Sequence, residues 1–307
     1  MTAPYKTAAG GSFMTSFTMP AVAAVSGWLG LSACVALSCA PASAQEKPAE
    51  AIELVPHRAV YELVLDRTGA GSNISDIRGQ LIYDFTGSAC QGYTLNTRLV
   101  TEIYDREGKQ STTDTRSESV EDGEGRRFRF NTSQYMNKSP KPADATSGLA
   151  VRAPQGGRET VTVTLYKPKK GSFTLPGNIY FPTQHSIAIL KAAKAGDTRL
   201  QADFFDGSDK GTKIYETTTV IGAPLQLAAN AQLPTIKNAE ILDSIQSWPV
   251  VVSYYEQNGK KDGLPTYEVS FRIYANGVSR KLTLDYGAFA LSGELSAIEF
   301  LPSKPCP

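Results

Sequence analysis

The two histidines are the first candidates for chemistry in this 307-residue sequence, because histidine is the side chain that titrates nearest to neutral pH. His57 follows Pro56 at the start of a predicted strand, and His185 falls in the first turn of a predicted helix. Paired with a carboxylate, either one could act as the acid or base of a glycan or peptide hydrolase. A polar residue at the end of an element is the commoner arrangement. The sequence therefore favours structural roles for both histidines and leaves the hydrolase as the alternative.

The motifs of the common catalytic and phosphate-binding sites are missing from residues 45–307. There is no Gly-x-Ser-x-Gly nucleophile elbow, no Gly-x-x-x-x-Gly-Lys-Ser/Thr loop and no Gly-x-Gly-x-x-Gly turn. The acidic segment 203–211, DFFDGSDKG, lacks the ligand spacing of an EF-hand and is predicted to be a solvent-exposed hairpin. We therefore expect no catalytic residues, no cofactor and no metal site.

The four cysteines fall into two pairs. Cys34 and Cys39 lie in the N-terminal segment, whereas Cys90 and Cys306 lie in the remainder of the chain. Neither of the latter has a second Cys or a His at metal-ligand spacing, and no Cys-x-x-Cys occurs, so we interpret them as a structural disulfide. Closing a loop of about 215 residues is worth about 5 kcal/mol in the chain-entropy model. With Cys90 on an early strand and Cys306 after the last one, the bond would fasten the end of a sheet onto its beginning and protect two free edges.

Residues 1–44 have the layout of a secretory signal peptide. Lys6 is the only charged residue, an apolar stretch occupies residues 21–40, and Ala-Ser-Ala at 42–44 supplies the small residues before a cleavage site. The sequence predicts cleavage before Gln45 and export to the periplasm.

Two alternatives place the chain at a membrane. The apolar stretch approaches the length of a transmembrane helix, so an uncleaved anchor is one of them. The other is a lipoprotein, because Leu-Ser-Ala-Cys at 31–34 resembles a lipobox with Cys34 as the lipidated residue. Direct membrane contact is expected only if Cys34 carries a lipid.

Loss of residues 1–44 leaves 30 basic residues beside the 30 acidic ones. This balance argues against a nucleic-acid partner, which requires a local excess of Lys and Arg. Residues 45–54, QEKPAEAIEL, have no periodicity and are predicted to be a flexible tether. Residues 55–307 are predicted to form one domain.

Alternation of apolar and polar residues dominates that domain and predicts a mainly β fold. Residues 57–67 place Ala59, Tyr61 and Leu63 on one face, and similar patterns recur over 77–85, 93–104, 126–131, 158–166, 199–205, 213–220, 248–255, 267–274, 279–286 and 289–300. Segment 109–121, KQSTTDTRSESVE, is predicted to be a polar, two-sided strand because Thr favours strands. Residues 138–147 are predicted to be a loop, and Asn-Gly pairs at 258–259 and 276–277 predict type I′ hairpin turns.

One convincing helix interrupts the strands at residues 184–195, with Thr183 as its predicted N-cap and Gly196 at its end. The sequence also allows a short helix at residues 238–245. The pattern predicts 12 to 14 strands in a single large antiparallel sheet, about the number its turn spacing allows.

Fourteen tyrosines and twelve phenylalanines fall largely on alternating strand positions. Core and cross-strand packing is the simpler interpretation. The functional interpretation is an aromatic concave face that binds a lipid tail, a glycan or an extended peptide.

Four segments together resemble the EipB family of periplasmic cell-envelope integrity proteins of Gram-negative bacteria. They are LVPHRAVYELVLD at 54–66, GQLIYDFTGSACQGYTLNTR at 79–98, FPTQH at 181–185 and SWPV at 247–250. The resemblance implies a single β-spiral, an open barrel-like sheet with a helix at one side, and an internal disulfide that carries over onto Cys90 and Cys306. It also implies a role in envelope integrity under stress and a link to a periplasmic tetratricopeptide-repeat protein. The lipobox-like segment at 31–34 is not expected in a soluble member of this family, so the resemblance leaves the question of a lipid anchor open.

The sequence thus leads to the hypothesis of a non-enzymatic periplasmic protein that supports envelope integrity and stress resistance. It would act by binding a partner protein, and a lipid or lipoprotein as a further ligand, on its concave face.

Overall fold

Almost every segment with alternating apolar and polar residues is a β-strand in the structure, a computed structural model that describes residues 52–226, 233–257, 263–303 and 306. Fifteen strands form one antiparallel sheet in these residues. They are β1 (His57–Thr68), β2 (Ile74–Ser88), β3 (Gly92–Asp105), β4 (Gln110–Glu121), β5 (Arg127–Met136), β6 (Ser139–Pro140), β7 (Thr146–Gln155), β8 (Arg158–Lys167), β9 (Gly171–Pro176), β10 (Arg199–Phe204), β11 (Tyr215–Ile221), β12 (Ser247–Glu256), β13 (Tyr267–Tyr274), β14 (Ser279–Asp285) and β15 (Phe289–Phe300). The mainly β prediction is confirmed.

The order of the strands places the two ends of the domain side by side in the middle of the sheet. The order is β10-β11-β12-β13-β14-β15-β1-β2-β3-β4-β5-β7-β8-β9, with the two-residue β6 paired to β5. β1 pairs with β15 along its whole length, from His57 opposite Phe300 to Thr68 opposite Phe289. The free edges are therefore β9 and β10, which are consecutive strands from the middle of the chain.

These two edges approach each other where the chain leaves β9. Tyr180 forms a parallel bridge with Phe204 of β10. The Tyr180 N–H donates to the Asp203 carbonyl at 2.8 Å, and the Phe205 N–H donates to the Tyr180 carbonyl at 3.0 Å. The sheet thus curls until its edges touch at one point without a continuous ladder, which gives an open, barrel-like shape.

Helix α1 (Pro182–Ala195) connects the two edge strands. Proline suits the first helical position, and Gly196 ends the helix in the left-handed region at φ 84°. The predicted N-cap is wrong, because Thr183 lies inside the helix and the N-cap position belongs to Phe181, which makes no side-chain capping bond. The predicted helix itself and its glycine stop are confirmed.

The apolar face of α1 fills the curl of the sheet. Ile189 and Leu190 are buried in a cluster with residues from β2, β3, β11, β12 and β13, including Phe85, Tyr93, Ile221, Trp248 and Val250. A second cluster lies between β1, β2, β14 and β15 and the segment 236–242, and a third joins β5, β7, β8 and β9. The described residues contain no helix of the length and apolar character that a membrane span requires.

Several local predictions need correction. Strands β6, β7 and β9 were not expected, and the predicted loop 138–147 contains β6 and a 3₁₀ turn at Pro142–Asp144. The short helix considered for 238–245 is a 3₁₀ helix at Glu240–Ser244.

In the 274–278 turn only Gly277 has positive φ, and the Gly277 N–H donates a hydrogen bond to the Tyr274 carbonyl. This is a three-residue loop with a bulge, so the type I′ prediction is wrong there. The turn at 258–259 lies outside the described residues.

The predicted tether also extends too far. Residues 1–51, which include the predicted signal peptide, Cys34 and most of the tether, lie outside the described residues. Ile52 and Leu54 at the end of the predicted tether are buried against the α1 cluster. The folded unit therefore includes these residues, because two apolar side chains gain more from burial than from exposure.

The disulfide joins Cys90 and Cys306, whose Cα atoms are 5.6 Å apart. Its predicted role as a clasp between free edges is wrong. Cys90 lies in the turn between β2 and β3, not on a strand, and β15 is already held by β1. The bond instead fixes the tail that follows β15 to the β2–β3 turn, while the free edges are elsewhere.

Candidate binding cleft

The inner face of β4 carries hydroxyl groups where a buried strand would carry apolar side chains. Because strand residues alternate between faces, Thr113, Thr115, Ser117 and Ser119 point to the side opposite Asp114, Arg116 and Glu118. Ser117 Oγ lies 3.1 Å from Thr132 Oγ1 on β5, and Thr101 Oγ1 lies 2.6 Å from Thr113 Oγ1. The spiral is therefore hydrophilic along part of its interior.

A cleft of about 540 Å³ opens over these hydroxyl groups. Its walls come from β3, β4, β5, the start of α1 and the segment that follows β10. The lining residues are Leu95, Thr115, Ser117, Glu118, Ser119, Phe128, Phe130, Thr132, Gln134, Asp144, Thr146, Pro182, Phe204, Asp206, Ser208, Asp209 and Lys210. Polar residues outnumber apolar ones in this list, but apolar atoms supply most of the exposed lining, so the cleft offers a ligand both hydrogen bonds and apolar contacts.

The aromatic side chains of the concave face mostly pack against one another. Phe128 stacks on Phe181 with ring centroids 5.1 Å apart, and Phe130 contacts the edge of Phe205 at 5.7 Å. A second aromatic group contains Tyr215, Tyr254 and Tyr267, of which the last two stack at 4.3 Å. Phe128, Phe130 and Phe204 reach the cleft only as nearly buried walls. The packing interpretation therefore describes most of these residues.

The loop after β10 presents Asp206 to the cleft in a fixed position. The Ser208 N–H donates a 2.8 Å hydrogen bond to Asp206 Oδ1, which closes a turn. Gly207 between them has φ 74°, and a Cβ atom there would lie 2.3 Å from the Phe130 ring. Glycine is thus required both by the backbone conformation and by close packing.

The two aspartates of this loop differ in electrostatic environment. Burial raises the pKa of Asp206, and no salt bridge joins its carboxylate to a cation among the described residues. Burial also acts to raise the pKa of Asp209, but the Lys213 ammonium group at 2.9 Å and the Tyr215 hydroxyl at 2.8 Å outweigh it and lower the pKa. The Asp209 carboxylate therefore has an ion-pair partner, whereas the described residues contain no counter-charge for Asp206.

A third buried carboxylate, Glu121, supports the wall of the cleft. It ends β4, is 2% exposed, and accepts hydrogen bonds from the backbone N–H groups of Thr183 and Gln184 at 2.8 and 3.0 Å. Burial raises its pKa to about 7, although both hydrogen bonds oppose that shift. Glu121 supplies the capping group that α1 lacks in its own sequence.

His185 is buried on α1 among aromatic rings. Its Nε2 lies 3.3 Å from Thr217 Oγ1, and the Phe204 ring centroid is 5.1 Å away. Burial lowers its pKa to about 4. A histidine that remains neutral at physiological pH and contacts a threonine and a phenylalanine has the surroundings of a core residue.

His57 is buried at the other side of the helix start. Its Nδ1 lies 2.7 Å from the Val55 carbonyl, its ring stacks near Tyr83 at 5.6 Å, and burial lowers its pKa. It lines a small cavity of about 80 Å³ together with Pro182, which also lines the cleft. Within the described part of the chain, no hydrogen bond joins either histidine to a carboxylate. The acid-base pair of the alternative hydrolase is not assembled there.

Comparison with known proteins identifies the family. A family model described as EipB-like matches residues 48–302. The chain belongs to the EipB-like family. Its sequence is 36% identical over 251 residues to the cell envelope integrity protein EipB of Brucella abortus (strain 2308). The aligned region covers 82% of this chain and 86% of the relative.

A solved structure shares the fold. The crystal structure of a beta-barrel-like protein of a domain of unknown function from Brucella abortus superposes with a TM-score of 0.73 at 34% identity, covering 82% of this chain and all of that one. The EipB-like resemblance read from the four sequence segments is confirmed, and the name of the curated relative connects the family with cell-envelope integrity.

Sequence reasoning located some functional features of this EipB-like chain and missed others. It identified the cysteine pair, and the structure joins them. It did not identify the cleft, whose signal was the Ser/Thr alternation in segment 109–121, nor Glu121, whose role depends on a helix 60 residues later. Among the described residues, no cluster of His, Cys, Asp and Glu could hold a metal ion.

Proposed function

We propose that this protein works in the periplasm as a non-enzymatic binding protein that maintains envelope integrity and stress resistance. The inner cleft carries the proposal, since it is a concave space of about 540 Å³ lined by both hydroxyl and apolar groups. The name of the 36% identical relative supports the envelope role. The surroundings of both histidines support a binding function over catalysis, because neither is engaged with a carboxylate among the described residues.

The proposed occupant of the cleft is a segment of a partner protein. The resemblance to the EipB family suggests a periplasmic tetratricopeptide-repeat protein as that partner. A lipid tail would contact the apolar part of the cleft but would cover its hydroxyl and carboxylate groups without forming hydrogen bonds to them, so a polypeptide segment, which can use both parts, is the better occupant. A lipoprotein remains compatible with the cleft through its polypeptide portion.

A pair of variants on β5 tests this function. Thr132→Arg places a long side chain in the cleft, whereas Asn131→Arg adds the same charge to the exposed outward face one residue earlier. Each variant replaces the chromosomal copy, and survival under envelope stress is measured together with partner capture from envelope extracts. We expect Thr132→Arg to lose both and Asn131→Arg to retain both, with matched melting temperatures. Equal behaviour of the two folded variants would contradict the proposal.

The absence of enzymatic activity has its own test. Purified peptidoglycan and envelope peptides are incubated with the exported protein and with His57→Ala and His185→Ala. We expect no turnover by any of the three. Turnover that disappears in either variant, at unchanged stability, would establish the hydrolase instead.

Export is tested by cell fractionation and by determining the N-terminus of the mature protein. A periplasmic product that begins at Gln45 is expected. A product that begins at a lipid-modified Cys34 would replace the soluble form with a membrane-anchored one.

A further inference from the structure

We propose that the inner cleft binds a basic side chain, a lysine or arginine on an extended segment of the partner protein, with Asp206 as its principal counter-charge. This inference rests on the proposed binding function and specifies the chemistry of the ligand. It makes the cleft a recognition site for a cation.

The charges that line the cleft favour a cation. Asp144, Asp206 and Asp209 contribute carboxylates, and Lys210 contributes the one ammonium group among the lining residues. Glu118 alternates to the outward set of β4 but also lines the cleft, so it adds a fourth carboxylate there. Because Lys213 already neutralises Asp209 at 2.9 Å, the carboxylates of Asp206 and Asp144 remain without an ion-pair partner in the described residues.

Asp206 is the strongest single indication. Its Oδ1 is engaged by the Ser208 N–H, and the described residues contain no salt bridge to the carboxylate. Asp206 is half-buried, and an anion partly withdrawn from bulk water without a counter-charge is destabilised, so a cation placed beside it offsets that cost. A ligand ammonium or guanidinium group would supply this counter-charge.

A serine hydroxyl lies next to this carboxylate. Ser208 Oγ makes no hydrogen bond of normal geometry in the described structure, although its side chain interacts with the Asp206 carboxylate and the Tyr215 hydroxyl. Ser208 lines the same cleft, so this hydroxyl helps to hold the Asp206 carboxylate in place beside the proposed cation.

The remaining walls suit the rest of a lysine or arginine residue. The rings of Phe130 and Phe204 line the cleft beside Asp206, and they can contact the methylene groups of a long basic side chain. The hydroxyls of Thr115, Thr132 and Ser119 can donate to or accept from a peptide backbone. The site therefore combines a charged end, an apolar wall and a hydrogen-bonding wall.

The test measures binding of synthetic probes to the full exported chain at low ionic strength. The probe is an acetylated, amidated peptide of sequence Gly-Ser-Gly-Lys-Gly-Ser-Gly, compared with the same peptide carrying norleucine in place of lysine. We expect the lysine peptide to bind at least tenfold more tightly. Equal affinity of the two peptides would overturn the proposal.

Three variants locate the site. Asp206→Asn keeps an acceptor for the Ser208 N–H and removes the charge, so it should weaken lysine-peptide binding at least tenfold. Glu216→Gln removes the same charge from an exposed position on β11 that does not line the cleft, and it should leave binding unchanged. Lys210→Ala should strengthen binding, because it removes the competing cation. An equal loss in Glu216→Gln and Asp206→Asn would show a non-specific charge effect and contradict the site.

n-Pentylamine, which carries one ammonium group as the lysine probe does, distinguishes a peptide ligand from a free amine. It should bind more weakly than the lysine peptide, because it cannot use the hydroxyl wall, and equal binding would overturn the assignment to a peptide segment. The outcome is separable from the proposed function. If the partner is captured and depends on Thr132 while Asp206→Asn and norleucine have no effect, the binding function stands and the cation site fails.

Discussion

Glu121 Oε2 accepts a 2.8 Å hydrogen bond from the backbone N–H of Thr183, although 62 residues separate them in the chain. The carboxylate closes the open N-terminus of α1 and joins the end of β4 to the helix that fills the spiral. Since α1 connects the two free sheet edges, this contact helps to hold the curl at the point where the edges meet. It also fixes Pro182, which lines the cleft.

Glu121→Gln should change how stability depends on pH. Burial raises the pKa of Glu121 from 4.5 to about 7. Between pH 4.5 and about 7 the folded protein therefore keeps a proton that the unfolded chain has released. The contribution of Glu121 to the free energy of unfolding is complete below pH 4.5 and is lost as the pH rises to about 7. Relative to the variant, the wild type should lose up to about 3 kcal/mol across this window. Urea unfolding at pH 4.5, 5.5 and 7 measures the difference, with the exposed Glu118→Gln as control. Parallel curves for wild type and Glu121→Gln would refute this assignment.

His185→Gln should produce the opposite trend. Burial lowers the pKa of His185 from 6.5 to about 4. The unfolded chain therefore binds a proton that the folded protein refuses, and the contribution present above pH 6.5 is lost as pH falls to about 4. Relative to His185→Gln, the wild type should become less stable by up to about 3 kcal/mol over that range. The same urea series checks this. An unchanged stability difference between pH 6.5 and pH 4 would show that His185 is not held neutral by burial.

Local periodicity was sufficient to predict the strands whose two faces differ. Ala59, Tyr61 and Leu63 are buried on β1, and Phe128 and Phe130 are buried on β5 between exposed Arg127 and Arg129, as their alternation indicated. Strand β9 was not found because Gly171–Pro176 is short and mostly exposed. Glycine and proline at its ends resemble a loop.

Sequence order could not predict how the strands neighbour one another. The pairing of β1 with β15 is a contact between residues more than 200 positions apart, and it moves the free edges to β9 and β10. The prediction that the Cys90–Cys306 disulfide holds two free sheet edges together is wrong for this reason. The same holds for the cleft, where Asp206 reaches the hydroxyl face of β4 only because the spiral brings β10 near β5.

Cys90→Ser should destabilise the protein by about 2 to 5 kcal/mol, since the bond closes a long loop in the unfolded chain. The local consequence should be confined to the tail, because Leu301 still donates a hydrogen bond to the Pro56 carbonyl at 2.9 Å and β15 remains paired with β1. We expect proteolysis after Leu301 in the variant, with the sheet intact. Reductant should affect the wild type and not the variant. Equal wild-type melting temperatures with and without reductant would disprove a stabilising disulfide.

Gly207→Ala should be more damaging than an ordinary glycine substitution. A Cβ atom at this position would combine an unfavourable positive φ with a 2.3 Å approach to the Phe130 ring, so we expect a loss of about 2 to 4 kcal/mol. Gly71→Ala is the matched control, because Gly71 has φ 80° and open space around it. Its cost should be about 1 kcal/mol. Equal costs in urea unfolding would show that the cleft loop is not packed on Phe130.

The central claim is that the partner protein enters the inner cleft of the spiral, and site-specific photocrosslinking in living cells tests it most directly. A photoreactive amino acid is placed at Gln134, which lines the cleft, and separately at Asn131, which lies on the outward face of the same strand. We expect a discrete adduct with one envelope protein from position 134 and none from position 131. An adduct from position 131 alone, or no adduct from either position, would contradict it.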